Sequence, residues 1–237
     1  MANAFEFTLN GRAVRVADVS PNTTLLEYLR STGLTGSKEG CAEGDCGACS
    51  VALIERGADG KPTYRAVNSC LMPVCLVAGR EVVSVEGIAK PQTPDAIPHS
   101  PSLHPVQRAM VEHLGSQCGY CTPGFICSMF EGYYRDDLKT HDDLDEQLAG
   151  NLCRCTGYRP IRDAAMEAFA CRSRGNETQT EKKLETSHVV SYKDELVERL
   201  KKSDTKVSAV NYEIGSEKFL RPTSLADLFR RSTSSSV

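Results

Sequence analysis

Apolar and polar positions alternate from the start of the chain. Phe5, Phe7 and Leu9 share one face of an extended segment, Asn10-Gly11 supplies a two-residue turn, and Val14 and Val16 resume the alternation on the return. The pattern predicts a β-hairpin. Ser20 and Pro21 then introduce a short helix carrying Leu25, Leu26 and Leu29, which ends near Gly33, where the chain needs a residue tolerant of unusual backbone angles. Residues 50–55, 64–68 and 81–85 read as further strands, the first two joined by a loop over 57–62. Residues 1–89 are therefore expected to form a small sheet with one helix across it.

The period changes after a break. Pro91, Pro94, Pro98 and Pro101 remove backbone donors across residues 90–103 and predict a linker. Beyond it the spacing is helical over 104–171. Pro105 can start a helix holding Val106, Met110, Val111 and Leu114, and Pro123 a second with Ile126, Met129, Phe130 and Tyr133. Leu144 and Leu148 mark a third, and Ile161, Ala164, Ala165, Ala168 and Phe169 a fourth, so a four-helix bundle is expected. Residues 172–206 are dominated by charged and hydroxyl side chains, and 172–217 reads as a charged flexible linker with room for one helix. A last apolar pattern (Phe219, Leu220, Leu225, Leu228, Phe229) lies in 218–237. The fold class expected is α+β.

Composition adds little to this until the cysteines are counted. The chain has 237 residues, 40% hydrophobic and 25% charged, enough for one or two small cores. A net charge of −3 gives no argument for nucleic acid or acidic lipid as partner. The N-terminus lacks the basic start and apolar run of a signal peptide, and no stretch has the length needed to span a bilayer, so a cytoplasmic location is expected. In that reducing compartment, paired cysteines point to metal ligands or redox groups rather than disulfides.

Eight of the eleven cysteines fall into two sets: Cys41, Cys46, Cys49 and Cys70, then Cys118, Cys121, Cys153 and Cys155. The first reads C-x4-C-x2-C with a distant fourth member, the arrangement of plant-type [2Fe-2S] sites. Gly36, Gly40, Gly44 and Gly47 lie through its loop, where backbone must curl tightly and aim N–H groups at anionic sulfur. In the second set each pair immediately precedes an expected helix, where free N–H groups and the helix dipole stabilise thiolates. Cys153 and Cys155 cannot share a helix face at i, i+2, whereas extended backbone points both the same way, so a short non-helical segment is predicted there. A four-cysteine zinc site is the rival for both sets, and the C-x2-C and C-x-C pairs suit it better than the C-x4-C-x2-C triplet does. Cys75, Cys127 and Cys171 have no partner spacing and read as small hydrophobes. The five histidines are isolated and read as surface or capping residues, and no acid/base pair or nucleophile constellation presents itself. The chain is expected to carry electrons for chemistry done elsewhere, with no catalytic residue of its own.

With both motifs in hand, GCAEGDCGACSV followed by NSCL, then QCGYCTPGF and GNLCRCTGYRPI, resemble the iron–sulfur portion of the molybdenum hydroxylases, the family of xanthine dehydrogenase, aldehyde oxidase and carbon monoxide dehydrogenase. The resemblance covers about residues 3 to 171. It implies a β-grasp ferredoxin domain followed by a four-helix domain, each with one [2Fe-2S] cluster, relaying electrons from molybdopterin to FAD. Gln117 matches a residue that hydrogen-bonds the pterin. The implied partners are a molybdopterin-binding large subunit and an FAD-binding subunit in a hetero-oligomer, with the second cluster beside the pterin and the first on the flavin side. KFLRPTSLADLFR resembles the junction into the flavin domain of xanthine dehydrogenases, which implies that subtype. After Phe229 the sequence departs from that pattern, so 218–237 is read as a remnant and no residue here is assigned to FAD.

Overall fold

The computed structural model describes residues 4–57, 59–89, 103–138, 140–174, 197–202 and 206–228. The expected linker 90–103 thus lies almost wholly outside the described residues, as do His99, His188 and the Cys171 side chain.

Strands β1 (Ala4–Leu9) and β2 (Arg12–Ala17) form the expected hairpin, with Phe5 opposite Val16 and Phe7 opposite Val14. Its turn places both Asn10 (φ 53°) and Gly11 (φ 79°) in the left-handed region, which the twist of a two-residue hairpin requires. Helix α1 (Leu25–Ser31) begins later than Ser20 and Pro21 suggested. Thr24 caps it: its hydroxyl accepts from Glu27 N–H while the Glu27 carboxylate accepts from Thr24 N–H, a reciprocal pair legible in T-L-L-E.

Strands β3 (Ser50–Arg56) and β4 (Pro62–Asn68) pair antiparallel, and β5 (Glu81–Val83) runs parallel to β1 and antiparallel to β3. The sheet order is β2-β1-β5-β3-β4. β5 stops at Val83 rather than Val85, because Ser84 leaves the ladder to donate its N–H to Asn10 Oδ1 (2.8 Å), and a short helix α2 (Val85–Ile88) follows.

Four further helices match the expected ones: α3 (Pro105–Glu112), α4 (Thr122–Tyr133), α5 (His141–Leu148) and α6 (Arg159–Arg174). His104, expected at the surface or as a cap, is a fully buried cap whose Nδ1 accepts from Val106 N–H.

Both faces of the sheet are covered. Val51 and Leu53 of β3 join Phe5, Phe7, Leu25, Leu29 and Val82 beneath α1. Ala52 and Ile54, pointing the other way, join Tyr64 and Val83 against Phe125, Met129, Phe130 and Ile161 of the helices. The helices and the sheet therefore share a core. Glu131 of α4 also reaches the exposed edge of the sheet, accepting from Ala66 N–H on β4 (2.8 Å), which occupies a donor an edge strand would leave open.

The tail divides differently from expectation. Residues 197–202 are helical, and Arg199 pairs with Glu81. Strand β6 (Val210–Ile214), inside the segment read as flexible linker, pairs antiparallel with β7 (Glu217–Arg221), at the start of the segment read as a flavin-domain remnant. Tyr212 is 1% exposed, stands edge-on to Phe5 (5.1 Å between centroids), donates to the Val19 carbonyl (2.6 Å) and accepts from Val19 N–H (3.1 Å). Arg221 donates to the carbonyls of Leu76 and Ala78 (both 2.7 Å). The hairpin is fastened to the first domain by one buried aromatic and one buried guanidinium.

Candidate metal centres

Three members of the first thiol set, Cys41, Cys46 and Cys49, lie on the loop from α1 to β3. Cys41 Sγ accepts N–H groups from Glu43 and Cys46, both at 3.4 Å, as anionic sulfur requires. Between Cys41 and Cys49, three positions have positive φ: Ala42 (58°), Gly44 (83°) and Gly47 (68°). Two of the four glycines noted in the sequence supply this freedom, and Ala42 was not among the signals. Gly40 serves by close approach instead, since a Cβ there would stand 2.6 Å from Cys46 Sγ, whereas Gly36 packs away from the thiols against Val85 and Glu86. Cys70 follows the end of β4 and meets Cys49, forming a small buried cluster with Leu26.

The second set is split between the start of α4 and the segment ahead of α6. Cys121 is the N-terminal flanking residue of α4, and residues 151–157 form neither helix nor strand, as predicted. Cys153 and Cys155 present sulfurs 3.8 Å apart, and Cys155 Sγ lies 3.7 Å from Cys118 Sγ. Cys121 closes on Cys153. Sequence reasoning missed the residues shaping this turn: Thr156 Oγ1 is 3.0 Å from Cys153 Sγ, and Tyr158 Oη accepts from Cys153 N–H (3.0 Å). Tyr158 itself sits at φ 68° beside Gly157 at 70°.

Environment separates the thiols. Donation from the Glu43 and Cys46 N–H groups holds Cys41 down to about 7. Burial works against ionising Cys153, but Thr156 and the Cys155 N–H outweigh it and bring that thiol to about 7 as well. Burial, reinforced by Cys49, pushes Cys70 up to about 11, and burial with the three neighbouring thiols pushes Cys121 up to about 12. A metal taken up by either set must therefore displace protons from its buried members.

Among the described residues, no group of three or more His, Cys, Asp or Glu side chains is placed to hold a single metal ion. In the second set Cys155 touches both Cys118 and Cys153, and Cys153 also touches Cys121, whereas in the first Cys41 meets Cys46 and Cys70 meets Cys49.

The segments that carry the two sets touch. Leu152 N–H donates to the Cys46 carbonyl (3.0 Å), and Tyr120 donates to the Glu39 carbonyl. Gln117 is exposed, as are Cys118 and Cys155, and the large apolar side chains near them in the chain, Tyr120, Leu152 and Tyr158, are exposed as well. No helix among the described residues is long and apolar enough to cross a membrane.

Comparison with known proteins agrees with this geometry. Residues 7–75 match a family described as "2Fe-2S iron-sulfur cluster binding domain", and residues 84–166 one described as "[2Fe-2S] binding domain". The xanthine dehydrogenase of Emericella nidulans is 44% identical over 164 residues, 69% of this chain but 11% of that protein. The Aldehyde oxidase 2 of Cavia porcellus is 42% identical over 175 residues, 71% of this chain and 12% of its own. The chain thus spans about a ninth of the length of such curated relatives. Among solved structures, a chain of quinoline 2-oxidoreductase from Pseudomonas putida 86 superposes with a TM-score of 0.58 at 30% identity, covering 73% of this chain and 98% of that one. Aldehyde oxidoreductase from Desulfovibrio gigas gives 0.61 at 35% identity, with 75% and 18% covered. The paired thiol sets, the two matching cluster domains and these relatives together make the chain a member of the molybdenum hydroxylase family, in its iron–sulfur portion.

Proposed function

We propose that the chain is the electron-transfer component of a xanthine dehydrogenase-like molybdenum hydroxylase. Cys41, Cys46, Cys49 and Cys70 hold one [2Fe-2S] cluster, and Cys118, Cys121, Cys153 and Cys155 hold the other. Residues 1–89 form a β-grasp domain, a reading supported by the order β2-β1-β5-β3-β4 with α1 across one face, and residues 104–171 form a four-helix bundle domain. The observation that carries the proposal is that the segments carrying the two four-thiol sets touch, joined through the Leu152 N–H and the Cys46 carbonyl.

The clusters supply one-electron redox chemistry when bound. The chain's own part is electrostatic: N–H groups directed at Cys41, and Thr156 directed at Cys153, favour negative charge on sulfur, while burial of Cys49, Cys70 and Cys153 limits solvent access on one side. The exposed side chains of Tyr120, Leu152 and Tyr158 suit a partner surface. A molybdopterin-binding large subunit would cover them, with Gln117 contacting the pterin, and FAD would be held by a further chain of the same cytoplasmic complex. Dehydrogenation of an N-heterocycle other than a purine is the second reading, favoured by the 98% coverage of the quinoline oxidoreductase chain.

Purified full-length chain should carry about four irons and four labile sulfides and show two reducible paramagnetic signals. Cys49→Ser should remove one signal and slow electron delivery to flavin in the assembled complex, leaving reduction of molybdenum by substrate intact. A colourless protein containing zinc, or a Cys49→Ser variant with full iron and unchanged electron flow, would refute the proposal.

A further inference from the structure

The contact between the segments carrying the two thiol sets is built on residues that neither set includes. Asn151 is only 4% exposed although polar. Its Oδ1 accepts from Ser128 Oγ of α4 (2.6 Å), and its Nδ2 donates to the Gly47 carbonyl (3.2 Å), in the loop between Cys46 and Cys49. That same carbonyl accepts from Ser50 N–H (3.1 Å) and Ser50 Oγ (2.8 Å). Around this amide the two backbones lie closer than any side chain allows. A Cβ on Gly124, one turn into α4, would overlap the Gly47 carbonyl oxygen, and one on Gly47 would overlap Gly150 O and Asn151 Nδ2. The next residue after Asn151 is Leu152, whose N–H is held on the Cys46 carbonyl at 3.0 Å.

We propose that Asn151 is a positioning residue which, with the Gly47 and Gly124 contact, sets the register of one thiol set against the other by holding Leu152 N–H on the Cys46 carbonyl. The proposal rests on the cluster assignment above for its functional meaning. Cys46 and Cys153 are then joined by a short covalent path broken by a single hydrogen bond: from Cys46 through its carbonyl, across to Leu152 N–H, and along the chain to Cys153. Asn151 takes no part in binding iron. Its amide links α4, through Ser128, to the loop carrying Cys46 and Cys49, so the separation of the two sets follows from its two hydrogen bonds and from the absence of side chains at Gly47 and Gly124. A buried amide whose donor is removed leaves the Gly47 carbonyl facing an acceptor, which opens the contact rather than loosening it evenly.

The test uses the full chain with its clusters, as wild type, Asn151→Asp, which keeps the acceptor for Ser128 and loses the donor to Gly47, and Gly124→Ala. Three quantities are read: iron per chain, hydrogen exchange of the Leu152 amide, and the magnetic interaction between the two reduced clusters in electron paramagnetic resonance. Asn151→Asp should retain wild-type iron, exchange Leu152 about tenfold faster, as expected for one lost net hydrogen bond, and show a weakened interaction between clusters. Gly124→Ala should do the same more strongly. Unchanged Leu152 exchange in both variants overturns the positioning role, whether or not iron is retained. Faster exchange with full iron and an unchanged magnetic interaction overturns the claim that this contact sets the register of the sites. A wild-type chain without clusters would instead refute the cluster assignment, and Leu152 exchange would still decide what Asn151 holds.

Discussion

Lowering the pH below 6.5 should destabilise the protein through His104, a residue outside both thiol sets. Its imidazole is fully buried where the helices meet the sheet, stacked edge-on against Tyr133 (4.9 Å) and Phe130 (5.1 Å). Nδ1 accepts from Val106 N–H at 3.3 Å, so that nitrogen carries no proton, and Nε2 lies 3.1 Å from Tyr134 Oη. Burial lowers the imidazole from 6.5 to about 3. Between those values the unfolded chain binds a proton that the folded chain refuses, so stability is full above pH 6.5 and is lost as the pH falls toward 3. At one pKa unit per 1.36 kcal/mol, the loss between pH 7 and pH 5 is about 2 kcal/mol. His104→Asn retains a side chain able to cap α3 but cannot titrate. Urea unfolding of wild type and variant at pH 7, 6 and 5 isolates the effect, because every other titrating group, including the thiols, is common to both. Wild type should lose about 2 kcal/mol more than the variant over that range. Parallel pH dependences would refute a neutral buried imidazole.

Substitutions at two other positions probe the tail and the first loop. Tyr212→Ala removes a fully buried ring and both bonds to Val19; it should cost about 3–5 kcal/mol in denaturant unfolding and expose the C-terminal hairpin to proteolysis, while Tyr212→Phe should cost about 1–3 kcal/mol. Gly40→Ala places a methyl 2.6 Å from Cys46 Sγ and should lower iron toward about two per chain, with the signal of the second cluster preserved.

Much of the sheet and all four large helices were legible because their periods are local: alternation in Phe5-Phe7-Leu9, the Asn10-Gly11 turn, and prolines at the starts of α3 and α4. The cysteine spacings likewise grouped Cys118, Cys121, Cys153 and Cys155, whose side chains the fold brings into contact. Long-range packing was harder to read. Val51, Ala52, Leu53 and Ile54 form an uninterrupted apolar run whose meaning, a strand buried on both faces, depends on helices some seventy residues later. Tyr212 stands between Asn211 and Glu213, and nothing within β6 announces that its ring belongs beside Phe5. Asn151 and Ser128 read as ordinary loop and helix residues until the fold brings them within 2.6 Å.

The placement of the two thiol sets follows from the same packing. Cys49 immediately precedes β3, whose side chains are buried alternately beneath α1 and against α4, so the base of the first loop is anchored from both sides. Cys121 immediately precedes α4, which lies on β3 and approaches the first loop at Gly124. One rigid unit, β3 with α4, thus locates the inner member of each set, and Asn151 joins them through Gly47 and Ser128. The outer members Cys118 and Cys155 are exposed, as are Tyr120, Leu152 and Tyr158. Changes in the β3 and α4 core therefore alter the relation between the two sets, and on the exposed side Tyr120 belongs to the same contact through the Glu39 carbonyl, so its loss weakens that relation as well.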